Sequence, residues 1–407
     1  MPEVYEQWNR RFVVRENYLR ILRTVKDKTD LIKVITGCRR SGKSTLMEQY
    51  IRWLGAQGVD GSNIMHFDLE SIECRHIRDG GQLIDIILSR RASGMNYILI
   101  DEVQRLEGWE DCLNRLGNED GFDIYVTGSN AFILSSDLST FLTGRQFEIK
   151  ILPLSFGEFI ALNPPDPGHD AGARLIDYIQ WGGMPAVDLD AGERYNRQLL
   201  QGIFGDIVLK DVVTRLSDRI DTAKLNSTAM FLLGNIGNLT NTSRMAKCAG
   251  VDNKTMGSYV EGFLESSMFC TARRYDIVAG KMLNSTEKYY VVDTGLRNAV
   301  LENAAGDDIS RPLENIVYLE LVHRGYTVSV GCYRDAEVDF AAVRDGELEL
   351  YQVALTVMDD QTFERERRSL TSMRNGYRKT ILTLDRVRRD PGLGVRHLNI
   401  IDWLLSE

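Results

Sequence analysis

Apolar residues in the first third of the chain come in short runs separated by amphipathic stretches. Leu31-Ile32-Lys33-Val34-Ile35 is short, rich in β-branched residues and soon followed by Gly37, which predicts a buried parallel strand. A helix is expected over 44–54, and further strands over 63–69, 97–101, 123–127 and 146–152. Ahead of the first strand, Tyr18, Leu19, Ile21, Leu22 and Val25 recur at helical spacing. Helical stretches separate most of the strands, so this part reads as α/β with a parallel sheet.

The pattern breaks at 163–173, where Pro164, Pro165 and Pro167 stand with Gly168 and Gly172. From 177 to about 302 it is helical, with short strands late, around 269–275 and 288–292. Beyond Pro312 it changes again: a helix over 313–323, strands over 327–330, 338–343 and 349–353, a charged helix over 362–374 and a strand over 379–384. Divisions are expected near 160, 222 and 300, with no internal repeat.

Composition narrows the class. Apolar residues make up 43% and charged residues 26%, the balance of a folded globular chain. Forty-nine basic against 58 acidic side chains give a net −9, which excludes a uniformly basic nucleic-acid coat but not local basic patches. No apolar run approaches the ~20 residues a membrane helix needs, and MPEVYEQWNRR carries no signal-peptide core. Six scattered cysteines without a CxxC pair predict reduced thiols in a cytoplasmic protein, and the five histidines show no metal-ligand spacing.

The chemistry begins at Gly37-Cys38-Arg39-Arg40-Ser41-Gly42-Lys43-Ser44, which fits GxxxxGK[ST] between a predicted strand and a predicted helix. Glycines let backbone N–H groups turn inward around phosphates, and the helix N-terminus, opening at Ser44-Thr45, adds partial positive charge. Lys43 is expected on the β- and γ-phosphates of ATP, and the Ser44 hydroxyl on Mg²⁺. Tyr97-Ile98-Leu99-Ile100-Asp101-Glu102 supplies the complementary acids: Asp101 to hold Mg²⁺, Glu102 to polarise the attacking water. The next strand ends in Gly128-Ser129-Asn130, whose Ser129 or Asn130 would touch the γ-phosphate or the water, or simply cap a turn.

These residues and the motifs after them resemble the bacterial and archaeal AAA+ superfamily ATPases that pair an AAA-type N-terminal domain with a C-terminal domain of unknown function. The matching stretches are IKVITGCRRSGKSTL, YILIDEVQ, YVTGSNAFIL, LTGRQFEIKILPLSFGEF, YIQWGGMPAV, DIVLKDVVTR, KYYVVDTGLRNAV and LENIVYLELVHRGYTVSVG…EVDF…YQVA, in order along nearly the whole chain. The resemblance implies a P-loop ATPase domain over 1–160, a helical lid or linker over 161–222, and ATPase chemistry. A cation must also meet the charge developing at the γ-phosphate. Arg145, lent between subunits of a homo-oligomer, and Arg215 are the alternatives, beside Arg39 and Arg40 in the loop itself; pairing with Asp206 and Asp211 is the plainer role for Arg215.

Residues 223–300 resemble a winged helix-turn-helix, with helices expected over 243–249 and 253–266 and a turn at Gly250. Residues 224–290 hold eight Lys/Arg against five Asp/Glu. As a DNA reader, this module would present Asn253, Lys254, Thr255, Ser258 and Tyr259 to a major groove, with Arg273, Arg274 and Lys281 on phosphates. Winged helices also serve as protein-contact modules. Residues 301–407 resemble the PD-(D/E)XK nuclease fold through Glu314, Asp339 and Gln352, but Ala354 stands where the nuclease lysine belongs. A degenerate, binding-only domain is therefore expected. Residues 361–390 carry nine basic and four acidic side chains, Arg365, Arg367 and Arg368 among them, as a phosphate track or a solvated helix face.

The sequence thus predicts an ATP- and Mg²⁺-dependent motor or loader on DNA, branched junctions included. The alternative is an ATP-controlled switch acting on a protein partner.

Overall fold

In β1 (Ile32–Gly37), β3 (Asn96–Asp101) and β4 (Phe122–Thr127) every residue is buried, as strands covered on both faces require. With β2 (Ile64–Asp68) and β5 (Gln146–Ile151) they form one parallel sheet in the order β2-β3-β4-β1-β5. The computed structural model describes residues 12–128, 144–216, 220–302, 309–334, 336–373 and 376–406, apart from the side chains of Asn284 and Ser285. It divides into two units, 1–152 with 265–267, and 153–264 with 268–407.

Period-2 alternation assigns the first unit's strand residues to two cores. Val34, Ile98, Ile100, Ile124 and Val126 pack with Leu83 and Ile87 of the helix Gly80–Ser89 and with Leu113 and Leu116 of Trp109–Gly117. On the other face, Ile35, Leu99, Tyr125, Ile149 and Ile151 pack with Leu19 and Leu22 of Glu16–Thr24 and with Leu46, Met47 and Tyr50 of Lys43–Ala56. Lys33, charged within the first apolar run, points to this second face. Its buried ammonium is paired with Asp123, which also accepts from the Tyr125 hydroxyl at 2.8 Å.

The second unit holds an eight-stranded sheet. The helices Thr242–Ala249 and Asn253–Glu265 turn at Gly250, which is left-handed at φ 64°, and a hairpin of β7 (Phe269–Asp276) and β8 (Lys281–Val291) follows. A short β6 (Leu239–Thr240) borders β8. Then β9 (Thr327–Tyr333), β10 (Ala336–Arg344), β11 (Glu347–Val353), β12 (Arg378–Thr383) and β13 (Val395–Asn399) complete the order β13-β12-β11-β10-β9-β7-β8-β6. Parallel pairing of Arg274, Tyr275 and Asp276 with Val330, Gly331 and Cys332 joins the hairpin to the later strands. The sheet therefore runs straight through the division expected at residue 300.

Three of the sequence motifs meet at Asp293. Its carboxylate caps the helix Thr294–Leu301 by accepting from Leu296 N–H at 2.9 Å, and accepts Gly183 N–H at 2.6 Å. Gly295 lies so close to the Trp181 carbonyl that a Cβ would sit 1.9 Å from its oxygen, and Leu154 N–H bonds Gly183 O at 2.8 Å. LPLSFGEF, WGGMP and VDTGLRN are thus one structural joint. Burial pushes the Asp293 carboxyl up to about 6 in spite of its backbone donors. Asp293→Ala orphans several buried N–H groups and should cost roughly 2–5 kcal/mol. Its thermal melt should show the loss, and an unchanged melting temperature would refute the joint.

Candidate nucleotide site

The loop 38–42 leaves the buried end of β1 and enters the helix Lys43–Ala56 through Gly42, left-handed at φ 102°. Gly37 has φ 144°, and a Cβ there would lie 2.3 Å from the Ile151 carbonyl oxygen, so only glycine passes. Lys43 is buried, and its ammonium donates to the carbonyls of Gly37 at 3.0 Å and Cys38 at 3.2 Å, folding back over the loop. Cys38 and Ser41 are buried, Arg39 and Thr45 half-buried, and Arg40 and Ser44 exposed. Among the described residues the buried Ser41 hydroxyl finds no hydrogen-bond partner. An orphaned donor, an ammonium and a helix N-terminus around one loop fit a bound polyphosphate.

Register sets the acids beside this loop. Asp101 ends β3, level with Asp68 at the end of β2, and β4 lies between β3 and the loop strand β1. Thr127, the last residue of β4, connects the pair: its hydroxyl donates to the Asp101 carboxylate and accepts the Glu102 N–H at 3.0 Å. Glu102 has a left-handed backbone, φ 56°, and accepts from the Gln104 amide. Burial raises its carboxyl above the ordinary glutamate range; Lys43 and Gln104 oppose the rise, while Asp101 adds to it. Burial likewise raises Glu48, on the loop helix, against the pull of Arg52 and His66 and with the help of Asp101 and Asp68.

Nothing in the sequence marked Thr127 or Arg15. The Arg15 side chain is buried and donates to the carbonyls of Ser41 at 3.2 Å and Leu152 at 3.0 Å, so the segment before the first helix clamps the phosphate loop. Ser129 and Asn130 lie outside the described residues. Arg145 precedes β5, its carbonyl accepts Ile32 N–H at 2.7 Å, and its guanidinium donates to Asn118 at 2.6 Å. That is the end of the sheet opposite the loop, because Gly37 pairs with Ile151. Six strand residues intervene, roughly 20 Å. Arg215 lies in the second unit, just after the π-helical turn Ile207–Val213, where Lys210 pairs with Asp206 at 2.9 Å.

On the helix Asn253–Glu265, Asn253, Lys254 and Ser258 are exposed and Thr255 half-buried. Tyr259 corrects its expectation: at 5% exposure it is a core residue, because the fourth position after Thr255 faces inward with Met256 and Phe263. On the hairpin, Arg273 and Lys281 are exposed, whereas Arg274 donates to the Cys332 sulfur at 3.0 Å, held by the β7–β9 pairing.

Glu314 and Asp339 share one ammonium, that of Lys288, and Gln352 lies against Asp339, whereas the Ala354 N–H bonds the Leu382 carbonyl. The Gln352 carbonyl accepts Asp339 N–H at 3.4 Å, and its amide donates to Glu366 at 2.8 Å. Lys288 of β8, absent from the sequence reading of this region, pairs with Glu314 and Glu337 at 3.1 Å each and with Asp339 at 3.7 Å. Burial opposes the Lys288 ammonium, but the three acids outweigh it and hold its pKa above the usual lysine range. Burial and Glu314 push Asp339 up to about 7 against the pull of Lys288.

A family model described as an AAA domain matches residues 29–160, and one described as a domain of unknown function matches 172–307. An uncharacterized protein of Haemophilus influenzae is 37% identical over 406 residues, covering 97% of this chain and 99% of that protein. One of Methanocaldococcus jannaschii is 28% identical over 352 residues, covering 82% and 77%. Among solved structures, the chain is similar to Aeropyrum pernix Orc1 in complex with DNA, at 15% identity and a TM-score of 0.31, covering 72% of this chain and 93% of that one. A DNA polymerase III gamma subunit-related protein of Thermotoga maritima matches at 11% identity and a TM-score of 0.28, covering 61% and 98%. Among the described residues no helix is long and apolar enough to cross a membrane.

Proposed function

We propose, from the premise that this chain belongs to the AAA+ family joining an AAA domain to a domain of unknown function, that it hydrolyses ATP and acts on DNA as a homo-oligomer in the cytoplasm. The observation that carries the ATPase reading is the Asp101–Thr127–Glu102 relay beside the Lys43 loop. Lys43 and the inward N–H groups hold the β- and γ-phosphates, displacing the ammonium from the Gly37 and Cys38 carbonyls. Bound Mg²⁺, held by Ser44 and Asp101, would neutralise charge on the phosphates. Glu102 takes the proton of the attacking water, and Thr127 fixes the backbone from which Glu102 extends.

For the DNA role, support comes from the exposed Lys254, Asn253 and Ser258 on the second helix of the helix-turn-helix, and from the net basic charge of 224–290. The protein-switch reading is favoured by the fate of two of the eight side chains a DNA reader was expected to use: Tyr259 is buried, and Arg274 is bonded to Cys332. Each subunit then offers weak DNA contacts, and an ATP-assembled ring would add them, raising apparent affinity roughly 10²–10⁴-fold. Titration of labelled single strand, duplex and four-way junction at low salt, with and without a non-hydrolysable ATP analogue, should show that gain. Lys254→Ala should reduce it. Absence of DNA binding in every nucleotide state selects the protein-partner switch.

A further inference from the structure

The acids that resemble a nuclease centre already hold a cation, and it belongs to the chain. Lys288 enters from β8, Glu314 from the helix Ser310–His323, and Glu337 and Asp339 from β10. The lysine side chain is only 6% exposed, and its ammonium lies 3.1, 3.1 and 3.7 Å from the three carboxylates. Further donors from the chain are already bonded to the same acids. Tyr290 donates its hydroxyl to Glu314 at 2.7 Å, Val353 N–H donates to Asp339 at 2.9 Å, and both ends of the Gln352 amide are bonded.

We propose that Lys288 is the resident cation of the C-terminal domain, occupying the place of a divalent metal and leaving the domain unable to bind one. Two features of the geometry support this. Hard divalent cations draw carboxylate oxygens to 2.0–2.6 Å, whereas the ammonium keeps these oxygens at 3.1 Å or more. Among the described residues, no group of three His, Cys, Asp or Glu side chains is disposed to hold a metal ion. Ala354 removes the lysine a hydrolytic site would use, and Lys288 removes the metal. The domain thereby lacks hydrolytic machinery by two independent losses.

The same geometry says what happens when the cation is taken away. Lys288→Met keeps most of the aliphatic stem and leaves three facing carboxylates without a countercharge, a costly state that an added cation relieves. Tb³⁺ takes the oxygen ligands of Ca²⁺ and emits when a neighbouring tyrosine is excited. Tyr290, bonded to Glu314, is placed to be that donor. In the nucleotide-free full chain, Lys288→Met should bind about one additional Tb³⁺, some 10²-fold or more tighter than the unaltered protein does at these acids. The double variant Lys288→Met/Glu314→Gln should lose that emission. Ion binding at the phosphate-loop acids contributes equally to all three proteins and cancels. Lys288→Met should also melt lower and be restored progressively by Ca²⁺; if it fails to fold alone, Ca²⁺ should recover its circular dichroism. Glu314-dependent Tb³⁺ emission from the unaltered chain overturns the proposal. So does a Lys288→Met protein that gains neither Tb³⁺ emission nor stability from Ca²⁺.

Discussion

Glu102→Gln should bind ATP as the unaltered chain does and release phosphate about 10²–10⁴-fold more slowly, the range by which a positioned general base accelerates a reaction. The amide preserves the size of the side chain and its contact with Gln104. It leaves untouched the backbone bond from Glu102 N–H to Thr127 that fixes the strand end. Only proton acceptance is lost. Lys43→Ala should behave differently, losing nucleotide binding itself, because no other ammonium lies over the loop carbonyls of Gly37 and Cys38 among the described residues. Equilibrium binding of a fluorescent ATP analogue, run beside phosphate release, separates the two. Wild-type turnover by Glu102→Gln would mean that another group, with Glu48 the nearest raised carboxyl on the loop helix, activates the water.

The candidate site was legible because its residues are contiguous: GCRRSGKS and YILIDE each place their polar residues at a strand end, and the strands coincide with the apolar runs. Thr127 was not, because a threonine closing an apolar strand is ordinary until β4 is seen between β1 and β3. Arg15 was hidden by distance, reaching Ser41 and Leu152 across 26 and 137 residues. The burial of Tyr259 follows helix periodicity: Met256, Tyr259, Val260 and Phe263 form one buried stripe. The C-terminal strand β13 and the helix Ile400–Leu405 follow a Gly- and Arg-rich stretch that masks their short apolar run. Lys288 lies in KYYVVDTGL, whose aspartate is structural, while its lysine serves acids that follow it by 26 residues or more in the chain.

Arg145→Ala should lower ATP turnover by about 10³–10⁵-fold if it meets the developing γ-phosphate charge, the effect of removing such an arginine elsewhere. Within its own subunit the geometry forbids this role. Arg145 opens β5 beside Ile32, while the loop leaves β1 at Gly37, a strand length away. An arginine so placed serves a neighbour's site or none, so its effect should vanish where the protein is dilute enough to be monomeric. Exposure favours lending: Arg145 is exposed, and among the described residues its guanidinium donates to Asn118, which closes the helix Trp109–Gly117. Mixing Arg145→Ala with Lys43→Ala should then restore part of the activity that each lacks, since one interface in a mixed assembly pairs an intact loop with an intact arginine. Mass measurement with ATP shows whether mixed assemblies form. Mixed assemblies without recovery at any ratio would remove Arg145 from the mechanism and leave Arg215, Arg39 and Arg40 as the remaining cations.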